Sequence, residues 1–122
     1  MADLLKDLYD IVEVRKVEKE EGSYTAYLFE SGLDKILKKL GEECSETIIG
    51  AKSLEAAVSL GNEENISKTK EELVGEIGDL LYHLTAMMVE RGVSFEEIDA
   101  LLRERMSKQG NLKESKVVDR NS

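Results

Sequence analysis

The sequence has no proline and no tryptophan, a single cysteine, a single histidine, and only four tyrosines and two phenylalanines. Leucine, glutamate, lysine and isoleucine are frequent instead, and with no proline to interrupt them they favour an all-α protein. The lone Cys44 excludes an internal disulfide framework and fits a reducing compartment. Positive charge is in short supply: 17 Lys and Arg against 26 Asp and Glu leave a formal net charge of −9. Nothing resembles the basic patch of a general nucleic-acid binder. No apolar run is long enough to span a bilayer, and the opening Met1-Ala2-Asp3-Leu4-Leu5-Lys6 lacks the layout of a signal peptide. A cytoplasmic protein with no membrane partner is expected. Internal repeats and low-complexity tracts are absent, and so is any Cys/His cluster, which excludes a structural zinc site.

What is there is helical periodicity. Leu4, Leu8, Ile11 and Val12 recur at helical spacing over about Leu4 to Lys19, with Asp3 as N-cap, and Gly22-Ser23 breaks the pattern. The stretch from Ser23 to Phe29 reads either as a short helix or as a loop covering a pocket. A second helix opens after Gly32 and runs to at least Lys52, with Leu33, Ile36, Leu37, Leu40, Cys44, Thr47, Ile48 and Ala51 as its apolar stripe. On this stripe Cys44 reads as a small hydrophobe. Leu54, Ala57, Val58 and Leu60 allow the helix to continue to Gly61, where Gly61-Asn62 has the form of a C-cap, and Asn62 to Ser67 reads as a polar connection. A third helix is expected from Thr69, where Thr69-x-x-Glu72 has the form of a capping box, to Gly92. Its core face is Leu73, Ile77, Leu80, Leu81, Leu84 and Met88. Ser94-x-x-Glu97 is a second such box, opening a last helix with Ile98, Leu101, Leu102 and Met106 inward. The expected layout is one all-α domain over 1–106, a bundle of about four main helices completed by dimerisation, followed by a polar tail over 107–122.

Two carboxylate pairs carry the chemistry. Glu43 and Glu46 stand three residues apart, as do Glu76 and Asp79, so each pair shares a helical face beside the apolar stripe. Like charges that close are costly once desolvated, and two facing pairs call for a cation between them. Oxygen donors of this kind suit Mg²⁺, which shares its shell with phosphate oxygens and lowers the pKa of a bound water. Glu42 stands in reserve as a further ligand or as a base, and Lys35 and Lys39, one and two turns before the cluster, are placed to reach phosphates. Each of these has a plainer reading. Glu42, Glu46, Lys35 and Lys39 also fit an ordinary solvated face, Lys52 a solvated lysine, His83 a half-buried helix histidine, and Ser23 to Phe29 simple core cover.

Taken together, Ser23-Tyr24-Thr25-Ala26, the run from Gly32 to Glu43, Ala51-Lys52, Glu71-Glu72-Leu73, Glu76 to Leu84 and Glu90 to Ser94 resemble the phosphoribosyl-ATP pyrophosphatase family of histidine biosynthesis. The broader ExxE…ExxD pattern is shared with the all-α, MazG-like nucleotide pyrophosphatases, including dimeric dUTPases. The resemblance implies Mg²⁺-dependent hydrolysis of 1-(5-phosphoribosyl)-ATP to phosphoribosyl-AMP and pyrophosphate, the second step of the pathway, by a homodimer or higher homo-oligomer. It assigns Glu43, Glu46, Glu76 and Asp79 to the metal and Glu42 and Glu43 to catalysis. Lys35, Lys39, Lys52, Tyr82, His83, Ser23, Tyr24 and Thr25 fall to the substrate. One departure stands out: the connection at about 53–70 is longer than the family pattern by roughly three to four helical turns. Two other functions fit the same sequence: a house-cleaning nucleoside triphosphate pyrophosphatase with the same acidic site, and a non-catalytic helical dimerisation module.

Overall fold

A computed structural model describes residues 2–18 and 20–108 as five helices. They are α1 (Ala2–Glu18), α2 (Tyr24–Ser31), α3 (Leu33–Leu60), α4 (Glu63–Arg91) and α5 (Phe95–Met106). Lys19, where the first helix was expected to end, and all but the first two residues of the polar tail lie outside the described residues.

The long helices α3 and α4, 28 and 29 residues, form an antiparallel hairpin roughly 42 Å long. Their turn is made by Gly61 and Asn62. Gly61 sits at φ +74°, the left-handed region that glycine enters without a Cβ penalty, and its N–H caps the carbonyls of Ala57 and Val58. Asn62 then caps α4, its side-chain oxygen accepting from the Asn65 N–H at 3.1 Å. This overturns two expectations at once. The stretch 62–67 is no connection, because the helix begins at Glu63, and Thr69 is no cap. The Thr69 hydroxyl donates back to the Asn65 carbonyl at 2.7 Å, the usual habit of a threonine inside a helix. The segment 53–70 thus extends both helices.

The hairpin is held by a seven-residue repeat. On α3 the shielded positions are Ile36, Leu40, Glu43, Thr47, Gly50, Leu54 and Ala57; on α4 they include Ile66, Thr69, Leu73, Glu76, Leu80, His83 and Met87. Steps alternate between three and four residues on both helices, the a/d spacing of a coiled-coil seam. Between residues 47 and 79 no other position on either helix is shielded, so this part of the hairpin is a two-helix arm. At Gly50 the helices approach closely: a Cβ there would lie 3.2 Å from Leu73 Cδ1.

Toward its open end the hairpin gains cover. Helix α1 packs on α4, α2 and α5, and α2 packs on α3. The core there is Leu28, Ile36 and Ala86, with Phe29, Tyr82 and Met87 against it, while Val12 buries the inner face of α1. Lys16 ties the layer together, 4.0 Å from the Glu90 carboxylate and over the Phe29 ring at 5.2 Å. The stretch left open between helix and loop is a helix, α2, capped by the Ser23 hydroxyl on the Ala26 N–H at 3.2 Å. The Ser94–Glu97 capping box forms as expected.

Much of the expected core face lies on the surface of this chain. Leu37, Cys44, Ile48, Ile77 and Leu84 are exposed, as are Leu4 and Ile11 of α1 and the four residues of α5 expected inward. The reason is angular. The seam runs through Glu43 and Glu76, and a residue such as Cys44, one step on from Glu43, is turned about 100° away from it.

Candidate metal and phosphate site

The site grows out of the polar stretch of the seam. Where α3 and α4 face each other, carboxylate oxygens of Glu43, Glu46 and Glu76 all come within 4.8 Å of one another. Glu43 is only 8 % exposed. One oxygen each of Glu43 and Glu76 is buried and accepts no hydrogen bond from the chain. Burial, and then the charge of Glu46, push the Glu43 carboxyl above the usual carboxylate range. Glu76 is raised as well, first by its hydrogen bond with Glu46 and then by burial. Carboxylates at this distance, Glu43 buried, Glu76 half-buried and Glu46 exposed, repel one another when charged, and their donor set is oxygen only. Asp79 lies one turn further along α4, exposed and outside the trio, yet its charge adds to the upward shift of both Glu43 and Glu76.

His83 closes one side. Its Nδ1 lies 2.7 Å from the Asp79 carbonyl oxygen, which can only accept, so Nδ1 carries the proton. In the neutral ring Nε2 is then an acceptor, and the Tyr24 hydroxyl donates to it at 2.8 Å. The same Nδ1 is 4.0 Å from Glu43. Tyr82 stands edge-on to His83 at 5.4 Å between ring centres, and its hydroxyl is hydrogen-bonded to that of the buried Thr25. Helix α2 thus presses Tyr24 and Thr25 onto α4. The Tyr24 hydroxyl is raised above its usual range by burial; the Lys39 charge opposes that shift and Glu43 adds to it.

A family model for phosphoribosyl-ATP pyrophosphohydrolase matches residues 5–106. Among curated relatives, a phosphoribosyl-ATP pyrophosphatase of Streptococcus thermophilus is 48 % identical over 115 residues, covering 94 % of this chain and 97 % of that protein. The chain belongs to the phosphoribosyl-ATP pyrophosphohydrolase family. A Bacillus cytotoxicus phosphoribosyl-ATP pyrophosphatase is 41 % identical over 119 residues, 98 % of either chain. The histidine biosynthesis bifunctional protein HisIE of Thermoanaerobacter pseudethanolicus is 50 % identical over 97 residues, 80 % of this chain and 38 % of that longer protein.

Within this phosphoribosyl-ATP pyrophosphohydrolase chain the other sequence candidates fall in different places. Glu42 is exposed and hydrogen-bonded to Lys39 at 3.1 Å, which holds its carboxyl below the usual range. Lys35 lies over the Tyr27 ring at 5.9 Å, outside the carboxylate trio. Lys52 pairs with Glu55, about half a turn of helix away from the Glu43 face. Ser23 serves as the α2 cap. Three residues were missed. The Thr47 hydroxyl donates to the Glu43 carbonyl at 2.8 Å and lies 3.4 Å from that of Glu76, which keys the two helices together beside the carboxylates. Gly50 allows that approach. Arg15 of α1 lines one cavity with Tyr82, whose hydroxyl is raised by burial with the Arg15 charge opposing that shift. The seven-residue spacing through Glu43, Thr47 and Gly50 was available to find the first two; nothing in the α1 pattern marked Arg15.

Proposed function

We propose that this chain hydrolyses 1-(5-phosphoribosyl)-ATP to phosphoribosyl-AMP and pyrophosphate, the second step of L-histidine biosynthesis, at the α3–α4 carboxylates. The observation that carries the reading is the pair of buried, unpartnered carboxylate oxygens of Glu43 and Glu76, inside a chain whose near full-length relatives are named for this activity. Those oxygens and the oxygen-only donor set fit Mg²⁺, which Glu43, Glu46 and Glu76 would hold, with Asp79 one turn away. Bound there, the ion supplies charge neutralisation on the triphosphate and a more acidic water. The chain does the rest. Glu43, buried against the cluster, is also the carboxylate assigned to take the proton of the attacking water, whose oxygen bonds to phosphorus as the bridging P–O bond breaks. Glu42, paired and lowered, is the weaker base of the two. Lys39 is placed to exchange Glu42 for a phosphate oxygen, and Tyr24, held by His83, borders the same space.

The test is pyrophosphate release from a panel of nucleotides. Phosphoribosyl-ATP is expected to be cleaved in preference to ATP and dUTP, and excess chelator is expected to abolish turnover. Equal rates across the panel would favour the house-cleaning reading; no turnover and no cation dependence would favour the dimerisation module. The exposed apolar residues support a homodimer as the working form, Ile48 and Val74 of the arm included. Sedimentation at micromolar concentration is expected to give twice the mass of one chain, and Ile48→Glu to give single chains. The described residues contain no helix long and apolar enough to cross a membrane.

A further inference from the structure

Phosphoribosyl-ATP carries phosphate at two ends, and the carboxylate trio accounts for the triphosphate alone. Beside the trio, on the other side of Tyr24, lies an open cavity of about 510 Å³ between α1 and α2. Arg15, Ser23, Thr25 and Tyr82 line it. Tyr24 borders both spaces, since its hydroxyl is bonded to His83 while the residue also walls this cavity. The α2 N-terminus opens there too, and the N–H groups of Tyr24 and Thr25 precede the first intrahelical bond, which runs from the Tyr27 N–H to the Ser23 carbonyl. We propose that this cavity is a phosphomonoester subsite, with Arg15 as its cation, and that it receives the 5-phosphate of the second ribose.

The inference rests on the reaction proposed above and adds to it the feature that separates this substrate from an ordinary nucleotide. An arginine suits the task, because its guanidinium fork matches two phosphate oxygens at once. Glu20 and Glu21 also line the cavity and oppose an anion. The Arg15 charge and the two N–H groups at the start of α2 act against that opposition. Tyr82 and Thr25, hydrogen-bonded to each other, add hydroxyl groups to the same lining.

The experiment measures pyrophosphate release by the full chain with Mg²⁺, using phosphoribosyl-ATP and its counterpart lacking the ribose 5-phosphate. The unmodified chain is expected to favour the phosphorylated substrate by about 10- to 100-fold in kcat/KM, the usual worth of a hydrogen-bonded ion pair. Arg15→Gln should remove that preference, mainly through KM, and Arg15→Lys should restore part of it, giving charge without the fork. Because Arg15 is exposed, its replacement leaves the helices intact, which circular dichroism checks. A loss shared equally by both substrates, or a preference that survives Arg15→Gln, overturns the subsite while leaving the reaction standing. No release from phosphoribosyl-ATP by the unmodified chain overturns the reaction itself, and the subsite with it.

Discussion

Glu43→Gln is expected to lower turnover by about 10²–10³-fold while raising the melting temperature of the protein in chelator. Both effects come from one arrangement. The Glu43 carboxylate is buried, one of its oxygens has no partner in the chain, and Glu46 and Glu76 lie within reach of it. Glutamine keeps the shape, removes a negative charge from the cluster, and offers its amide N–H groups to the remaining carboxylates. The same cause sets a pH dependence. The folded-state carboxyls of Glu43 and Glu76 are raised above the ordinary value of 4.5, so the folded chain holds these protons more tightly than the unfolded chain does. Stability from these groups is therefore greatest below that value and falls as pH rises through the shifted range. Glu42 and Glu97, whose carboxyls are lowered, act in the opposite direction at lower pH. Thermal melts followed by circular dichroism, with chelator at about pH 5 and pH 7, read the result. The pH-linked loss should shrink in Glu43→Gln and should shrink in the parent chain when Mg²⁺ is added. If Glu43→Gln melted lower in chelator, the carboxylates would not be repelling one another as described.

Leu28→Ala is expected to remove a large share of the stability and nearly all of the activity, although Leu28 is no part of the site. It is fully buried with Ile36 and Ala86, and truncating such a side chain costs about 2–5 kcal/mol. A domain of this size has roughly 5–15 kcal/mol in all. The eight residues of α2 are too few to hold a helix unaided, so their anchorage is what places Tyr24 against His83 and Thr25 against Tyr82. Val17→Ala, on the outer face of α1, serves as the control and should change stability by no more than about 0.5 kcal/mol. Urea midpoints compare the two. Equal small effects would show that the core lies elsewhere.

Helix positions were legible wherever a residue has one job. Gly61 ends a helix because a left-handed cap needs glycine, and Ser94 with Glu97 begins one because both partners of the box are present. Helical phase put Glu43, Glu76 and Asp79 nearest the apolar edge; Glu43 and Glu76 do meet, while Asp79 is exposed and Glu46, which phase alone ranked lower, completes the trio. Thr69 misled because a threonine followed three residues later by glutamate satisfies two geometries, a cap or a bond to the preceding turn. Asn62, directly after a left-handed glycine, had already supplied the cap. The core face misled for a different reason. Apolar residues mark whatever surface is to be covered, and on α3 and α4 the helix-to-helix seam is partly polar, holding Glu43, Thr47, Thr69, Glu76 and His83. A reader counting leucines and isoleucines finds the flank of such a hairpin before its seam. Arg15 was hidden because its meaning depends on α2 folding back across α1, a contact that no local period reports.

The seam also sets how this protein can change in length. Its contacts repeat every seven residues, so the arm beyond Thr47 and Glu76 can lose or gain a heptad on each helix, and the turn at Gly61 and Asn62 will meet its neighbours in the same phase. A change of any other size, or one made on a single helix, would rotate Glu43 and Glu46 relative to Glu76 and disperse the three carboxylates. Insertions and deletions that keep the three carboxylates together are thus expected in matched steps of about two helical turns on each helix. The geometry of the three carboxylates is insulated from the length of the arm so long as any change there is paired.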